Sequence, residues 1–345
     1  MPPPAPPPLR ALHALTTRRL LYLHGPDSAK FLQGTTTNLI PQSPPYLQHG
    51  QLSLFLTGQG RVLYDAFIYP IVPNSALFKS GALGSKVKPD DPGFVLEVDS
   101  EFASDVLRHV KRYKLRAKFE MGILEESQWG AYSYWGTDKG APESWIGMED
   151  NRAPGFGWRA VAPAGEDVKG VLEVDETVGT EEYKLRRYLN GIPEGKGEII
   201  SGTALPLESN FDIMGGVHFK KGCYVGQELT VRTKHTGVVR KRILPVRFYP
   251  ESEQPQETDT LEYKPEINPD ITSEVAISRL GKKTRDPGRV FGSVGNVGLG
   301  LCRLEALTGE GIEQDFKVEW ETDGQNKTYR IKAFTPSWHK ERLES

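Results

Sequence analysis

The chain has 345 residues, long enough for two or three domains, with 37% apolar and 26% charged residues, an ordinary balance for a soluble protein. A formal net charge of −2 excludes a globally nucleic-acid-binding or membrane-surface character, and no apolar run approaches the ~18 residues of a membrane span. Two cysteines exclude a disulfide framework and fit a reducing compartment.

From the N-terminus, the proline tract Met1 to Pro8 is expected to be disordered or polyproline II. No acidic residue precedes Asp27, while Arg10, Arg18 and Arg19 are basic, which has the flavour of a mitochondrial presequence. The prolines forbid an amphipathic helix there, so the expectation is that a longer presequence was removed or that Met1 is not the native start. Leu20 to Leu23 and Gln51 to Leu56 read as strands, and Ser28 to Leu32 starts a short helix capped by Asp27. Arg61 to Val72 is a long apolar strand, followed by a Gly-, Ser- and Lys-rich stretch over 74–91 expected to be a mobile insertion. Phe94 to Val98 is a strand. Glu101 to Arg112 is an amphipathic helix with Phe102, Val106, Leu107 and Val110 on one face. Strands over 117–123 and 130–135 continue an α+β pattern, and Thr180 is expected to cap a helix running to Leu189. Residues 249–289, including Gly281 to Asp286, have low hydrophobicity and read as long loops or disorder around one short strand, Val275 to Leu280. From Val290 onward, strands alternate with glycine turns as in a small antiparallel barrel.

One of the two cysteines lies in Lys221-Gly222-Cys223-Tyr224-Val225-Gly226-Gln227-Glu228, just before a helix beginning near Glu228. Unpaired N–H groups at a helix N-terminus, with Lys220 and Lys221 nearby, favour a thiolate, the form that attacks electrophiles or ligates iron and copper(I). The competing reading is a small buried hydrophobe. Cys302, in an apolar strand, reads as a core residue. Seven histidines show no His-Glu-x-x-His and there is no Cys-x-x-Cys, so neither a zinc site nor a self-contained four-cysteine cluster is encoded. An iron–sulfur centre on Cys223 would have to be shared with a second protein. Gly292 to Gly300 and Gly191 to Gly197 fail the spacing of nucleotide and phosphate loops. The basic stretch Arg232, Lys234, His235, Arg240, Lys241 and Arg242 is either a solvated face or a docking site for an acidic partner or a folate's glutamyl tail.

The octapeptide resembles the signature of the family that joins bacterial YgfZ to the late-acting mitochondrial iron–sulfur assembly factor. These proteins are relatives of the glycine-cleavage T-protein, a tetrahydrofolate-dependent aminomethyltransferase. Further matches follow in family order: Leu23 to Gly34 with Thr35 to Asn38, Gly60 to Tyr69, Asp150 to Pro154 with Gly157-Trp158-Arg159, Leu185 to Pro193, Leu205 to Asn210, and Gly292 to Glu305. The resemblance covers about residues 12 to 335.

It implies an α+β T-protein-like fold, with two interleaved α+β domains around a central pocket and a C-terminal antiparallel β-barrel. The expected division is 1–8 disordered, 9–240 the T-protein-like region, 241–289 a connecting segment and 290–345 barrel, with the barrel starting near 241. The implied function is not enzymatic: assembly, with A-type scaffold proteins in the mitochondrial matrix, of 4Fe-4S proteins. Cys223 would ligate a 2Fe-2S cluster shared in a heterodimer, the protein alone being monomeric. Lys221 would offset negative charge, Gly222 and Gly226 would let the backbone approach, Tyr224 would pack on the fold, and Gln227 and Glu228 would support the cluster or cap the helix. Arg232 and Lys234 are the candidate partner contacts. The alternative is a tetrahydrofolate-dependent one-carbon transferase, with Asp65 catalytic and Asp65, Glu208 and Asn38 in a folate pocket, Phe31 and Tyr69 nearby. Tyr64 stands where the T-protein pattern has a second aspartate, which counts against aminomethyl transfer.

Overall fold

A computed structural model describes residues 3–280, 286–308, 316–322 and 324–344. Two five-stranded sheets share the first two-thirds of the chain. One runs in the spatial order Glu176–Val178, Ala11–Ala14, Trp129–Trp135, Trp158–Pro163 and Ile146–Glu149; the other runs Gln51–Leu56, Val62–Pro70, Gly93–Asp99, Arg18–His24 and Glu120–Ile123. Because Ala11–Ala14 and Arg18–His24 belong to different sheets, the chain crosses between them within four residues, and the two units interleave. A six-stranded closed barrel follows, with strands Lys241–Pro250, Val275–Arg279, Gly288–Val294, Val297–Arg303, Phe316–Thr322 and Gln325–Ala333.

Strand alternation sorts the side chains of Val62–Pro70 onto two faces. Ala66 and Ile68 join Phe31, Leu32, Phe94, Leu96, Val106 and Val110 in a core under the helices Ser28–Thr35 and Ala103–Lys114. Asp65, Phe67 and Tyr69 point the opposite way, toward the first sheet. The expected pocket residues Phe31 and Tyr69 are therefore spent on packing, Phe31 in the first of these cores and Tyr69 in a hydrogen bond to Glu97 at 2.6 Å. The helix Thr180–Leu189 lays Leu185 and Tyr188 against the barrel residues Ile243, Phe291 and Val297.

Several local expectations are corrected. Asp27 precedes its helix, but its carboxylate accepts the Lys118 N–H at 2.7 Å and makes no capping hydrogen bond to the helix. Gly179, not Thr180, occupies the cap position of the later helix, in extended backbone, and Thr180 is already helical. The stretch 74–91 is anchored at a few points, Ser75 capping the short helix Ala76–Lys79 and Leu77 and Leu83 being buried, while most of the remainder is exposed. Most of the low-hydrophobicity stretch 251–274 is tied to the barrel through polar contacts that hydropathy does not register. Lys332 donates to the carbonyls of Gln256, Glu257 and Asp259, and Asn296 bonds Glu262 and Lys264. Gly281 to Arg285 of the expected loop, with Met1 and Pro2, lie outside the described residues. Residues 3–8 form no helix or strand, and the carbonyls of Pro4 and Pro8 accept hydrogen bonds from Tyr263 (2.6 Å) and Trp135 (2.8 Å).

The C-terminal helix Ser337–Glu344 returns from the barrel to the two sheets. Trp338 donates to Asn190 O, and Arg342 donates to the carbonyls of Asn151, Arg152 and Ile213. His339, on the same helix, is fully buried, and neither ring nitrogen has a hydrogen-bond partner among the described residues. Burial pushes its imidazole down to about 3, helped by the Arg242 and Arg342 charges. Between about pH 6.5 and pH 3 the unfolded chain binds this proton and the folded chain does not, so this stability is complete above about 6.5 and is lost on acidification. From about pH 7.5 to pH 5 the loss from this group is about 2 kcal/mol. Urea unfolding of wild type and His339→Gln at both values should show a smaller acid loss in the variant; equal losses would contradict the assignment.

Candidate functional site

The octapeptide forms a loop bound to two earlier elements. Val225 N–H donates to Gly34 O at 3.1 Å, at the end of the helix Ser28–Thr35. The Lys221 ammonium donates to Thr36 O at 2.7 Å and Asn38 O at 2.6 Å, in the segment that follows that helix. Gly226 adopts a left-handed conformation (φ 79°) as the cap residue of the helix Gln227–Thr236. A Cβ at Gly226 would overlap the Thr57 carbonyl oxygen in the turn between Gln51–Leu56 and Val62–Pro70, and one at Gly60 of that turn would press on Gly226 O. Two glycines thus allow the motif and the hairpin turn to touch backbone to backbone.

Cys223 is exposed, which removes the buried-hydrophobe reading. Tyr224 beside it is buried and anchors the loop, its phenol pushed up to about 12 by burial. Gln227 closes the loop on itself: its Oε1 accepts the Tyr224 N–H at 3.2 Å while its own N–H donates to Tyr224 O. Glu228 is exposed in the helix's first turn. Gly222 has open space around it, so no close approach requires a glycine there. Lys221 is committed to two carbonyls, and burial pushes its amine down to about 7, so its role in this fold is to hold the loop to the preceding segment. The other thiol, Cys302, is buried in the barrel and pushed up to about 12 by burial, as a core residue is. Among the described residues no group of three or more His, Cys, Asp and Glu side chains is placed to hold a metal ion.

The basic stretch divides. Arg242 is buried in a bidentate pair with Asp212 (2.8 Å), and Lys241 pairs with Asp286 (3.2 Å). Arg232, Lys234, His235 and Arg240 remain exposed, Lys234 lying over the Phe219 ring at 5.3 Å.

The proposed folate residues are not brought together. A central cavity of about 510 Å³ is lined by Asn38, Phe67, Met148, Asp150, Arg152 and Arg342, among others, but by neither Asp65 nor Glu208. Asn38 reaches it with its amide already donating to Leu52 O and Gly215 O, both at 2.8 Å. Glu208 is half-buried on the walls of two smaller cavities beside the barrel. Asp65 is buried against Arg18 (2.9 Å) in a charge network between the sheets.

That network is the site feature that sequence reasoning missed. Arg18 also meets Glu97 (3.0 Å), Arg159 meets Glu97 and Glu194, and Arg152 meets Asp150 and Glu194, both at 2.8 Å. Tyr183 donates to Glu194, and the three guanidinium carbons lie 3.9–5.9 Å from the Phe67 ring centroid. Burial raises the Glu194 carboxyl, but Arg159, Arg152 and Arg187 outweigh it and hold the group well below the usual range. Asp65 ends raised, because burial exceeds what Arg18 returns. The signal available was Glu97, a carboxylate inside the apolar run Phe94 to Val98.

Comparison with known proteins places this geometry. Residues 240–341 match the family described as CAF17, C-terminal beta-barrel domain. The chain is 41% identical to the iron–sulfur cluster assembly factor IBA57 homolog, mitochondrial, of Neurospora crassa, with 96% of this chain and 82% of that protein covered. The same-named proteins of Aspergillus fumigatus (40%, with 99% and 84% covered) and Pyricularia oryzae (38%, with 96% and 85% covered) are similar. Among solved structures, glycine cleavage system aminomethyltransferase T from Bartonella henselae superimposes with a TM-score of 0.62 at 12% identity, covering 95% of this chain and 86% of that one, a likeness of fold.

Two stability measurements test the site's construction. Gly226→Ala should lower stability by about 2 kcal/mol or more, from left-handed strain plus the clash with Thr57, whereas Gly222→Ala should be close to neutral. Asp65→Ala should cost about 3 kcal/mol or more by leaving Arg18 partly unpaired in the interior. A stable Asp65→Ala protein would contradict a structural role and favour a catalytic one.

Proposed function

The chain belongs to the IBA57 family of mitochondrial iron–sulfur cluster assembly factors, and from that premise we propose that it supplies one thiolate, Cys223, to a 2Fe-2S cluster shared with a partner. The observation that carries this reading is the pairing of an exposed thiol, held on a glycine-anchored loop, with a second cysteine that is locked in the barrel core. A 2Fe-2S cluster takes four protein ligands, and a chain offering one accessible thiol is suited to sharing rather than keeping such a cargo. The protein is mitochondrial, and the proposed setting is the matrix. There the remaining ligands would come from an A-type scaffold protein, and the product would be 4Fe-4S clusters for target enzymes.

In this mechanism the chain's residues position rather than transform. Lys221, Tyr224 and Gln227 fix the loop, and Gly226 seats it on the hairpin turn. Cys223 projects where a second protein can reach it.

The central cavity of about 510 Å³ supports a second reading, a retained folate pocket. Asp150, Arg152, Asp212 and Arg342 line it, each already paired within the chain, so a ligand would meet their remaining donor and acceptor positions. Asp65 on Arg18 leaves the transferase chemistry without its acid, so tetrahydrofolate would bind there as a structural ligand or signal.

The direct test mixes the protein anaerobically with a 2Fe-2S-loaded A-type scaffold and follows visible absorption through size exclusion. Wild type should elute as a coloured heterodimer, and Cys223→Ser should lose the colour while keeping its melting temperature. A coloured Cys223→Ser complex would overturn the ligand assignment. Calorimetric titration with tetrahydrofolate tests the second reading, which absent or millimolar binding would sink.

A further inference from the structure

The helix that begins after Cys223 borders a groove of about 240 Å³, walled by Leu205, Leu207, Leu229, Thr233, Val238 and Val239. Val238 is 76% exposed, an unusual state for a branched apolar residue beside a cavity. Arg240 lines the groove, and Arg232, Lys234 and His235, elsewhere on the adjoining helix Gln227–Thr236, are exposed as well. Among the described residues none of these four has an ion-pair partner, in contrast to Lys241 and Arg242 immediately after them. The acid on the helix, Glu228, sits in the opposite, first turn. Glu208 also touches the groove, but its other side faces Arg61, Lys241 and Arg289 in the adjoining cavity.

We propose that this groove and its basic border dock the protein that holds the remaining cluster ligands, through an apolar side chain seated in the groove and an acidic rim around it. The inference rests on the reading of Cys223 as a shared ligand. Charge complementarity picks the occupant: Arg240 at the apolar slot, with Arg232 and Lys234 on the adjoining helix and none of the three ion-paired among the described residues, fits an acidic protein surface with an apolar centre. Geometry permits one partner to cover both features. The helix Gln227–Thr236, 10 residues and about 15 Å long, joins the loop of the thiol to the groove, a length below the span of an ordinary interface of about 800 Å² per partner. A polyglutamate chain would use the cations but leave Val238 and the apolar walls in water.

The test is the affinity of the cluster-free and the 2Fe-2S-loaded A-type scaffold for wild type, Arg232→Glu/Arg240→Glu and Val238→Asp, at low and high salt. All three positions are exposed, and melting temperature checks the folds. The charge variant should bind the cluster-free scaffold at least about tenfold more weakly and lose most of the salt dependence, and Val238→Asp should weaken it by a similar factor. Unchanged affinity in both variants, with the shared cluster still formed, overturns the docking surface alone. Affinity that depends on these residues without a shared cluster supports the surface and overturns the Cys223 reading. No association of wild type in either form overturns both. Wild-type self-association that the variants dissolve would make the occupant a second copy of this chain and overturn the proposal.

Discussion

The two interleaved units depend on the charges buried between their sheets. Arg18, Arg152 and Arg159 meet Asp65, Glu97, Asp150 and Glu194 in the interior, with Phe67 stacked among the guanidinia. Burying such groups costs much of what their attraction returns, so the network adds little net stability, but removing one member leaves a bare charge inside. Its effect is geometric. The strand Val62–Pro70, paired within the second sheet, carries Asp65, Phe67 and Tyr69 toward the first, and the hairpin turn at its start is the surface on which Gly226 rests. The position of the exposed thiol thus descends, contact by contact, from a set of ion pairs in the core.

The same network sets where Asp65 stands relative to the cavity. An acid on this strand is available for catalysis only if it faces the cavity with a titratable proton to spare. Here Asp65 faces Arg18, and the cavity wall is built by Asp150 and Arg152, themselves paired with each other. Asp65 is not among the residues that line the cavity. Arg342, arriving from the C-terminal helix beyond the barrel, lines the cavity and bonds carbonyls from both flanking segments, so the barrel's far end also closes this space.

Much of this was legible in the chain and some was not, for physical reasons. The octapeptide, the major strands and the helix Ala103–Lys114 follow from periodicity and local composition. Gly222 and Gly226 look alike in the sequence, and the turn that Gly226 meets and the openness around Gly222 both depend on what lies across space. Lys221 looked like a charge partner for the thiol; two carbonyls more than 180 positions earlier claim it instead. Asp65, Glu208 and Asn38 look alike as polar residues in apolar surroundings, and only tertiary structure separates an ion pair, a barrel-side wall and a backbone clamp. The short strands Ala11–Ala14, Ile146–Glu149 and Glu176–Val178 carry too few residues for a period to emerge.

The central claim is that sulfur from this chain bonds iron in a shared cluster. The most direct measurement deuterates the cysteine β-carbons of this chain alone and examines the reduced 2Fe-2S complex by electron–nuclear double resonance. The account predicts deuterium coupling of the size expected for a ligating cysteine, from Cys223, since Cys302 is enclosed in the barrel. A reduced cluster in a stable complex with no such coupling would mean that the partner supplies every thiolate, and the account would be wrong.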